Sequence, residues 1–378
     1  MISIDFVITG LDSGGAEGML YKILKYIDRA RFTPRVISLT GLGVYGDRIE
    51  ALEIPVIALN MNPSLPNPLK FLKLVYIFYV NKPDVVQTWM YHADLLGGLA
   101  ARISGIGNVV WSIRNSDLSA SKSKLSTRVI MKACALLSRK IPSNITTCSI
   151  NAGVIHTQKG YDKKLIQHIP NGFDIDLFKS SSVNKHDIRT ELNLNFESFV
   201  VGFIGRYDPQ KNHEGFIKSA KKIIQKIPNV EFVLAGSMVD ERNVHLKCLI
   251  EELGLSDYFH LLGERNDIPR LMNSLDVLVS FSNYGEAFPN VLGEAMSSAI
   301  PCIVTDVGDA VDIVGDTGFV VERNNVQELC DTLCSFSKLS KLQKNNFGQK
   351  ARARVEKYYD IENVVIQYQD MYLELLKR

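Results

Sequence analysis

Cysteine and long apolar runs are both scarce in this sequence of 378 residues, which holds six cysteines. No two cysteines form a C-x-x-C pair, and Cys330 and Cys334 have no histidine partners at zinc-ligand spacing. We therefore predict reduced thiols, as in a cytosolic protein, and no disulfide framework. The longest apolar run, Leu74–Val80, is far shorter than the ~20 residues that a membrane-spanning helix needs. The sequence thus predicts neither a disulfide-rich protein nor an integral membrane protein.

A strong net charge and a signal peptide are absent as well. The 43 Lys and Arg nearly balance the 41 Asp and Glu, so the total of +2 gives no reason to expect a nucleic-acid partner. The balance is uneven, because residues 1–172 hold 20 basic and 11 acidic side chains and residues 173–378 hold 23 and 30. This asymmetry predicts two domains with different partners. The chain starts with a strand-like run, Ile2–Thr9, and no cleavable leader, so a cytoplasmic location is predicted.

Short apolar runs alternate with amphipathic segments along the whole chain, which predicts an α/β fold with parallel sheets. Strands are predicted at Ile4–Thr9, Arg35–Leu39, Val56–Leu59, Asp84–Gln87, Val109–Ile113, Asn144–Cys148, Phe199–Ile204, Glu231–Ala235, Phe259–Leu261, Val277–Ser280, Cys302–Thr305 and Phe319–Val321. One sheet of that size would be unusually large, so two Rossmann-like domains are the more economical arrangement.

A turn signal at residues 169–172 predicts that the first domain covers residues 1–172. The second domain would cover residues 173–360, with the polar stretch Lys179–Asp187 as the linker. Residues 361–378 carry apolar side chains at helical spacing, so we predict a C-terminal helix that packs back on the first domain.

Two glutamates, Glu286 and Glu294, flank the predicted start of a helix at Pro289 or Asn290, directly after a predicted strand. A helix start offers free N–H groups and a positive dipole, which suit an anion. Glu294 would lie one turn inside the helix beside an apolar face, so its half-buried carboxylate needs a partner such as a pair of ribose hydroxyls. Two solvent-exposed glutamates are the alternative that the pattern leaves open.

Two cations follow another predicted strand end, at Gly205. Arg206 and Lys211 lie in the turn between this strand and a helix that starts near His213. They would therefore lie at the carboxyl edge of the sheet, where open α/β folds bind ligands. Arginine as a bidentate fork and lysine as a point charge suit a diphosphate, although solvated surface charge is the alternative.

A glycine-rich loop, which contains Gly14 and Gly15, separates the first strand from a helix that contains Glu17. Consecutive glycines at this place can cradle a phosphate or a sugar. The loop is not G-x-G-x-x-G, and the second strand ends without the acidic residue that would hold a nicotinamide-cofactor ribose. A dehydrogenase is therefore disfavoured.

Together these segments resemble the retaining glycosyltransferases of family 4, which have the GT-B fold, and the resemblance extends over nearly the whole chain. It rests on the loop Gly14–Glu17, on Asn171–Asp174 with Phe178, on Gly205 and Arg206 with Lys211, on the E-x7-E segment Glu286–Glu294, and on Asp306–Gly308.

The resemblance implies two Rossmann-like domains facing across a cleft. The first would bind a glycan or polyprenyl-diphosphate-linked acceptor, and the second a nucleotide sugar of the UDP or GDP type, in surface polysaccharide biosynthesis. Arg206 and Lys211 would neutralise the departing diphosphate, Glu294 would hold the ribose, and Glu286 would face the sugar. The rest of the implied set comprises Gly205, Arg265, Phe288, Pro289 and Asn290 at the donor, and Gly14, Gly15 and Glu17 as the acceptor or phosphate loop. No cofactor or metal is expected, since fixed cations replace the metal ion.

The resemblance does not decide which residue of the first domain reaches the reacting sugar. Many members of the family carry a histidine after a first-domain strand, and Arg114 occupies that position here, whereas His92 follows the preceding strand. His92 and Arg114 are both candidates to reach the sugar, and Arg114 could instead bind an acceptor phosphate. For His92 a purely structural role is the alternative.

Basic and apolar residues alternate at helical spacing over Lys122–Lys140. This pattern predicts a basic amphipathic helix. It either rests on an anionic membrane or packs on the sheet with a solvated basic face.

Two other classes of function remain as alternatives: a nucleotide-sugar 2-epimerase and a non-catalytic binder of nucleotide sugars or glycans. Phe288, Pro289 and Asn290 between the two glutamates favour transfer over epimerisation. The presence of Arg206, Lys211 and both glutamates argues against a binder with a decayed site. Incubation with donor alone discriminates, because an epimerase converts the donor and a transferase at most hydrolyses it slowly.

Overall fold

The computed structural model of the protein describes residues 1–62, 67–116 and 125–377. The chain divides into two compact units. The first comprises Met1–Gly172 together with Ile361–Arg378, and the second comprises Phe173–Asp360. These boundaries coincide with those placed from the sequence at residues 172 and 360, and each unit is built around its own parallel sheet.

The first unit contains a parallel sheet with the order β3-β2-β1-β4-β5-β6-β7. Its strands are β1 (Ile2–Ile8), β2 (Phe32–Ser38), β3 (Val56–Ala58), β4 (Val85–Trp89), β5 (Val109–Ile113), β6 (Asn144–Thr147) and β7 (Ile166–His168). The short strand β7 was not predicted from the sequence. The central strands β4 and β5 are buried along their whole length, as expected of strands covered on both faces.

Helices cover both faces of this sheet. They are α1 (Gly15–Tyr26), α2 (Gly43–Glu50), α3 (Pro68–Asn81), α4 (Tyr91–Ile103), α5 (Leu125–Leu137) and α6 (Ile150–Gln158). Helices α3, α4 and α5 bury one apolar side against the same face of the sheet, where Phe78, Ala100 and Cys134 join Val7 and Trp111 in one core. In the described part of the chain, no helix is long and apolar enough to cross a bilayer.

The second unit contains a parallel sheet with the order β10-β9-β8-β11-β12-β13. Its strands are β8 (Phe199–Ile204), β9 (Val230–Ala235), β10 (Phe259–Leu261), β11 (Val277–Ser280), β12 (Cys302–Thr305) and β13 (Phe319–Val321), all of which were predicted to within one residue. Its helices are α7 (Ser182–Glu191), α8 (His213–Lys226), α9 (Val244–Glu252), α10 (Ile268–Met272), α11 (Asn290–Ser297), α12 (Ala310–Val314), α13 (Val326–Ser337) and α14 (Lys341–Tyr358).

The linker predicted at Lys179–Asp187 is wrong, because most of this stretch belongs to helix α7. The Ser181 hydroxyl caps the helix by accepting a hydrogen bond from the Asn184 N–H at 3.2 Å. The sequence of this helix is mostly polar because only a narrow stripe of its surface is buried. Within that stripe, the guanidinium of Arg189 pairs with Asp276 at 2.8 Å. A buried arginine with a carboxylate partner is indistinguishable from a solvated one in the sequence.

The last helix, α15 (Ile361–Leu376), belongs to the first unit. Tyr368 and Tyr372 are fully buried there, and the Tyr372 ring meets the rings of Phe6 and Phe32 edge-on at centroid distances of 6.4 and 6.1 Å. The chain therefore returns from the second unit to complete the core of the first, as the apolar spacing of residues 361–378 predicted.

Candidate active site

The strand order of the second unit opens a crevice between β8 and β11. The chain builds the sheet outward from β8 in one direction and from β11 in the other. The loops after these two strands therefore diverge at the carboxyl edge, which is where such sheets bind ligands. The loop after β8 carries Arg206 and Lys211, and the loop after β11 carries Glu286.

An ion pair joins these two loops. The Lys211 ammonium donates to Glu286 Oε1 at 2.5 Å, and the Ser282 hydroxyl donates to the same oxygen at 2.9 Å. The side chains of Lys211 and Glu286 are only 16% and 10% exposed. A short, charge-assisted contact with so little water around it is strong. Lys211 and Glu286 are thus fixed across the crevice, although they lie 75 positions apart in the sequence.

Two further hydrogen bonds hold these loops in place, one between the loops and one from strand β12. The Asn283 N–H donates to the Gln210 carbonyl at 2.8 Å, and the Thr305 hydroxyl donates to the Ser282 carbonyl at 2.6 Å. Asn212 is in the left-handed region (φ 63°), where it caps helix α8 by accepting from the Gly215 N–H at 3.2 Å. The crevice therefore has a rigid floor, as a preorganised site requires.

Arg206 is held much more loosely than Lys211. Its side chain is 61% exposed, and its contacts with Asp208 and Gln210 are long, at 3.4 and 3.2 Å. Surface contacts of this kind contribute little stability. The guanidinium can therefore leave them for a stronger anion in the crevice.

Arg265, also predicted at the donor, lies in a cluster of carboxylates. It makes two bonds of 2.7 Å to Asp267 and one of 3.0 Å to Glu191. The two hydrogen bonds that Arg265 donates to the Asp267 carboxylate raise the pKa of Arg265 and lower the pKa of Asp267. The cluster ties the loop after β10 to helix α7, so a donor contact by Arg265 would compete with these bonds.

Helix α11 begins where the sequence predicted, with Pro289 as its N-cap and Asn290 as its first residue. The ring of Phe288 fixes this start by stacking on Phe173 at a centroid distance of 6.1 Å. Gly293 is required behind it, because a Cβ there would lie 2.0 Å from the Phe173 ring. Glu294 is half-buried one turn inside the helix, as predicted.

The loop after β12 packs against the backbone of Glu286. Gly308 has φ +62°, and a Cβ there would lie 2.2 Å from the Glu286 carbonyl oxygen. The Asp309 N–H also donates to the Ala287 carbonyl at 3.1 Å. Only glycine permits this approach, so the segment Asp306–Gly308 supports Glu286 from the side.

In the first unit, the corresponding divergence lies between β1 and β4. Gly14 and Gly15 follow β1, are exposed and start helix α1, while burial raises the pKa of the Glu17 carboxyl in the first turn of this helix. His92 follows β4 at the second position of helix α4, and burial lowers the pKa of its imidazole. Met90, just before it, has φ 73°, a strained backbone of the kind that gathers at functional sites.

Arg114 is engaged within the first unit. Its guanidinium donates to the Ser112 hydroxyl at 3.1 Å, to the Asn171 side-chain oxygen at 2.9 Å and to the Tyr368 hydroxyl at 2.5 Å. It also lies 3.9 Å from the centre of the Trp89 ring. Arg114 therefore clamps helix α15 to the sheet, and its predicted contact with acceptor phosphate remains a prediction.

Sequence reasoning missed Ser282 and Asp94. Asp94 is fully buried, where it accepts from the Thr88 hydroxyl at 2.6 Å and from the Ser112 N–H at 3.3 Å. Burial raises the pKa of this carboxyl to about 8. Asp94 thus braces the turn that carries His92. An acidic residue in an otherwise apolar helical segment was the available signal.

The predicted basic helix Lys122–Lys140 is represented by α5, which starts at Leu125, so Lys122 and Lys124 lie outside the described residues. Within the described ranges, no three His, Cys, Asp or Glu side chains are grouped so that they could hold a metal ion.

Comparison with known proteins assigns each half of the chain to a family of glycosyltransferases. Residues 13–177 match the family "Glycosyltransferase Family 4", and residues 184–354 match "Glycosyl transferases group 1". The chain is 28% identical to an Escherichia coli UDP-Gal:alpha-D-GlcNAc-diphosphoundecaprenol alpha-1,3-galactosyltransferase, over 87% of this chain and 85% of that protein. It is 27% identical to the capsular polysaccharide biosynthesis glycosyltransferase CapM of Staphylococcus aureus, over 85% of each chain.

The fold is shared with solved structures. The crystal structure of Anabaena HepE in complex with UDP superposes with a TM-score of 0.87 and 26% identity, over 99% of this chain and 100% of that one. The same protein in complex with UDP-glucose gives a TM-score of 0.85. With two parallel-sheet α/β units and these matches in both halves, the chain belongs to the GT-B glycosyltransferases of the family 4 type.

Proposed function

We propose that this glycosyltransferase is a retaining enzyme that moves a sugar from a UDP-sugar to a polyprenyl-diphosphate-linked glycan in surface polysaccharide synthesis. A UDP donor is supported by the Escherichia coli relative, which uses UDP-Gal, and by HepE, which was solved with UDP. The lipid-linked acceptor is supported by the diphosphoundecaprenol in the name of the same relative, and polysaccharide synthesis by CapM.

The observation that carries this proposal is the crevice between β8 and β11, with Lys211 fixed at 2.5 Å from Glu286 and Arg206 loosely held beside it. A diphosphate bound there would give the two cations an anionic partner. The N–H groups at the start of helix α11 would add a favourable dipole. Glu286 would then stand next to the sugar, and Glu294 would hold the ribose hydroxyls.

Retention follows from attack on the face that the leaving group departs from. The bond between the anomeric carbon and the diphosphate oxygen breaks, and the acceptor hydroxyl oxygen bonds to the same face of that carbon. The acceptor proton passes to the departing diphosphate oxygen. The protein then supplies position and fixed positive charge, mainly through Arg206 and Lys211, which stabilise the charge that develops on the diphosphate.

We further propose that transfer needs no metal ion, because the two side-chain cations Arg206 and Lys211 would face the bound diphosphate. Full activity in excess chelator is the expected result. Activity that vanishes with the chelator and returns with Mg²⁺ or Mn²⁺ would contradict this part of the proposal.

A thermal-shift screen against UDP, GDP, ADP and their sugars tests the donor class, because a ligand that binds the folded state raises its stability. We expect UDP and UDP-sugars to raise the melting temperature more than the other nucleotides. Transfer is then measured to an alkyl-diphosphate acceptor that carries one sugar, and NMR of the product reads its anomeric configuration. An inverted product would contradict the retaining mechanism.

The location in this proposal is the inner face of the cell membrane, since a polyprenyl-linked acceptor cannot leave the bilayer. Helix α5, with Arg128 and Lys132, would then face anionic lipid.

A further inference from the structure

The outer side of helix α3 is apolar, although the helix already buries its other side in the core. Leu74, Ile77 and Phe78 pack under it. The outer side chains are between 57% and 71% exposed, namely those of Leu69, Leu72, Tyr76, Tyr79 and Val80. Their spacing of three, four, three and one residues places them on one stripe of the helix. An exposed apolar stripe of this size marks a contact surface.

Helix α5 presents a second stripe of the same kind. Leu125, Val129 and Leu136 follow each other at four and seven residues, and each is more than half exposed. Because α3, α4 and α5 pack on one face of the sheet, the two stripes belong to one side of the first unit. We refer to the exposed residues of α3 and α5 as the outer apolar surface.

The charged side chains within helices α3 and α5 all have one sign. Lys70 and Lys73 lie within α3, Arg128 and Lys132 lie within α5, and Lys82 follows α3 directly. Across the ranges of α3, α4 and α5, the one acidic residue is Asp94, which is fully buried. The outer apolar surface is therefore rimmed by cations that lack an acidic neighbour on the same helices.

We infer that the outer apolar surface docks on an anionic lipid bilayer, with the leucines and tyrosines of α3 entering the headgroup region. Tyrosine suits that depth because its ring is apolar and its hydroxyl is polar. Lysines at the edge of the stripe keep their ammonium groups at the phosphates while their chains cover apolar surface. A second copy fits less well, because a symmetric dimer would bring the cations of one surface against those of its partner.

This inference deepens the membrane contact in the proposed function, but it rests on the surface and not on the transfer reaction. In parallel α/β units, each helix starts at the carboxyl edge of the sheet. Leu69 and Leu125 therefore lie towards the edge that carries Gly14, Gly15 and His92. Docking through this surface would bring that edge close to the lipid headgroups, where a lipid-linked diphosphate is held.

Vesicle flotation of the full chain tests the inference, with phosphatidylcholine vesicles compared with vesicles that also contain phosphatidylglycerol. We expect binding to the anionic vesicles and at least tenfold weaker partitioning of the double variant Leu72→Glu/Tyr76→Glu. Lys70→Gln/Lys73→Gln should weaken partitioning to anionic vesicles by about 25-fold, since each cation near the surface contributes about fivefold. Leu342→Glu, at a leucine on α14 in the second unit that is more exposed still, is the control and should float like the wild type.

All four positions are exposed or partly exposed, so folding should survive, and unchanged melting temperatures check this. Wild-type protein that stays unbound on anionic vesicles, or α3 variants that float as well as the control, would overturn the inference. A concentration-dependent dimer that Leu72→Glu/Tyr76→Glu abolishes would also overturn it, in favour of a second copy. Wild-type protein that floats but transfers no sugar to a soluble acceptor would count against the proposed function alone.

Discussion

At the residue scale, the crevice of the second unit contains opposite charges that hold each other in place. Lys211 and Glu286 form a nearly buried pair, whereas Arg206 is exposed and loosely bound. Breaking a buried pair leaves an uncompensated charge unless a ligand supplies a new partner. A bound diphosphate would be the new partner of Lys211. We therefore expect donor binding to rearrange the pair of Lys211 and Glu286.

Substitution Lys211→Ala should lower kcat by on the order of 100-fold or more, because a contact to charge that develops on the leaving group is lost. The melting temperature should change far less. Steady-state kinetics with saturating donor is the measurement. Lys218→Ala, an exposed lysine on the neighbouring helix α8, serves as the control and should keep its turnover. Normal turnover in Lys211→Ala would contradict the diphosphate assignment.

Substitution Glu294→Ala should weaken donor binding by about 1–3 kcal/mol, the usual cost of a lost hydrogen bond to a charged group. Titration calorimetry with the donor nucleotide measures the difference. Glu252→Ala, at the exposed end of helix α9, is the matched control. Equal affinities in the two variants would argue against a ribose contact by Glu294.

Two buried histidines should make the protein sensitive to mild acid. Burial lowers the pKa of His156 and of His213 to about 4, whereas the unfolded chain titrates near 6.5. The unfolded state therefore takes up protons first as the pH falls. The free energy of unfolding should drop between about pH 6.5 and 4, by up to about 3 kcal/mol for each histidine.

Urea unfolding at pH 7 and pH 5 measures this loss. His156→Gln should reduce the difference between the two values, and exposed His186→Gln should leave it unchanged. A free energy of unfolding that is equal at both pH values in the wild type would contradict the role given to burial.

At the scale of elements, hydrophobic patterning located the strands well because most are buried on both faces. Strand β7 (Ile166–His168) escaped because it is an edge strand of three residues, none of them fully buried. Helix α7 was taken for a linker because its buried stripe includes an arginine. Periodicity reports the burial of apolar residues, so it fails where a polar residue is buried with a partner.

The start of helix α11 was predicted from Pro289 and Asn290, and the cations after β8 were predicted to lie at the sheet edge. The contact between Lys211 and Glu286 was not predictable from local signals. It depends on β8 and β11 being neighbours, and three helices and two strands separate them along the chain. The clamp by Arg114 was missed for the same reason, since its partner Tyr368 is 254 positions away.

Helix α15 should depend measurably on that clamp. Tyr368→Phe removes the hydroxyl that accepts a hydrogen bond from Arg114, so we expect a loss of about 1–3 kcal/mol in the free energy of unfolding. Chemical denaturation gives the value. Tyr358→Phe, on the surface of α14, is the control and should change little. Equal stabilities of the two variants would show that the clamp contributes nothing.

At the scale of the whole molecule, the near-neutral total charge conceals two different units. Residues 1–172 are rich in basic side chains, and residues 173–378 carry an excess of acidic ones. The basic part suits an acceptor that carries phosphate at a membrane. In the proposed function the acidic part binds an anionic donor. The positive potential of Arg206 and Lys211 must therefore exceed the negative potential of the surrounding acidic residues.

The return of the chain to its first unit has a consequence for synthesis. The second unit is one continuous stretch, Phe173–Asp360, whereas the core of the first includes α15. Until α15 has been synthesised, the first unit lacks Tyr368 and Tyr372 of its core, although its other residues are the oldest part of the chain. The part translated first is therefore the last to close, and until then its uncovered apolar face is exposed to chaperones and proteases.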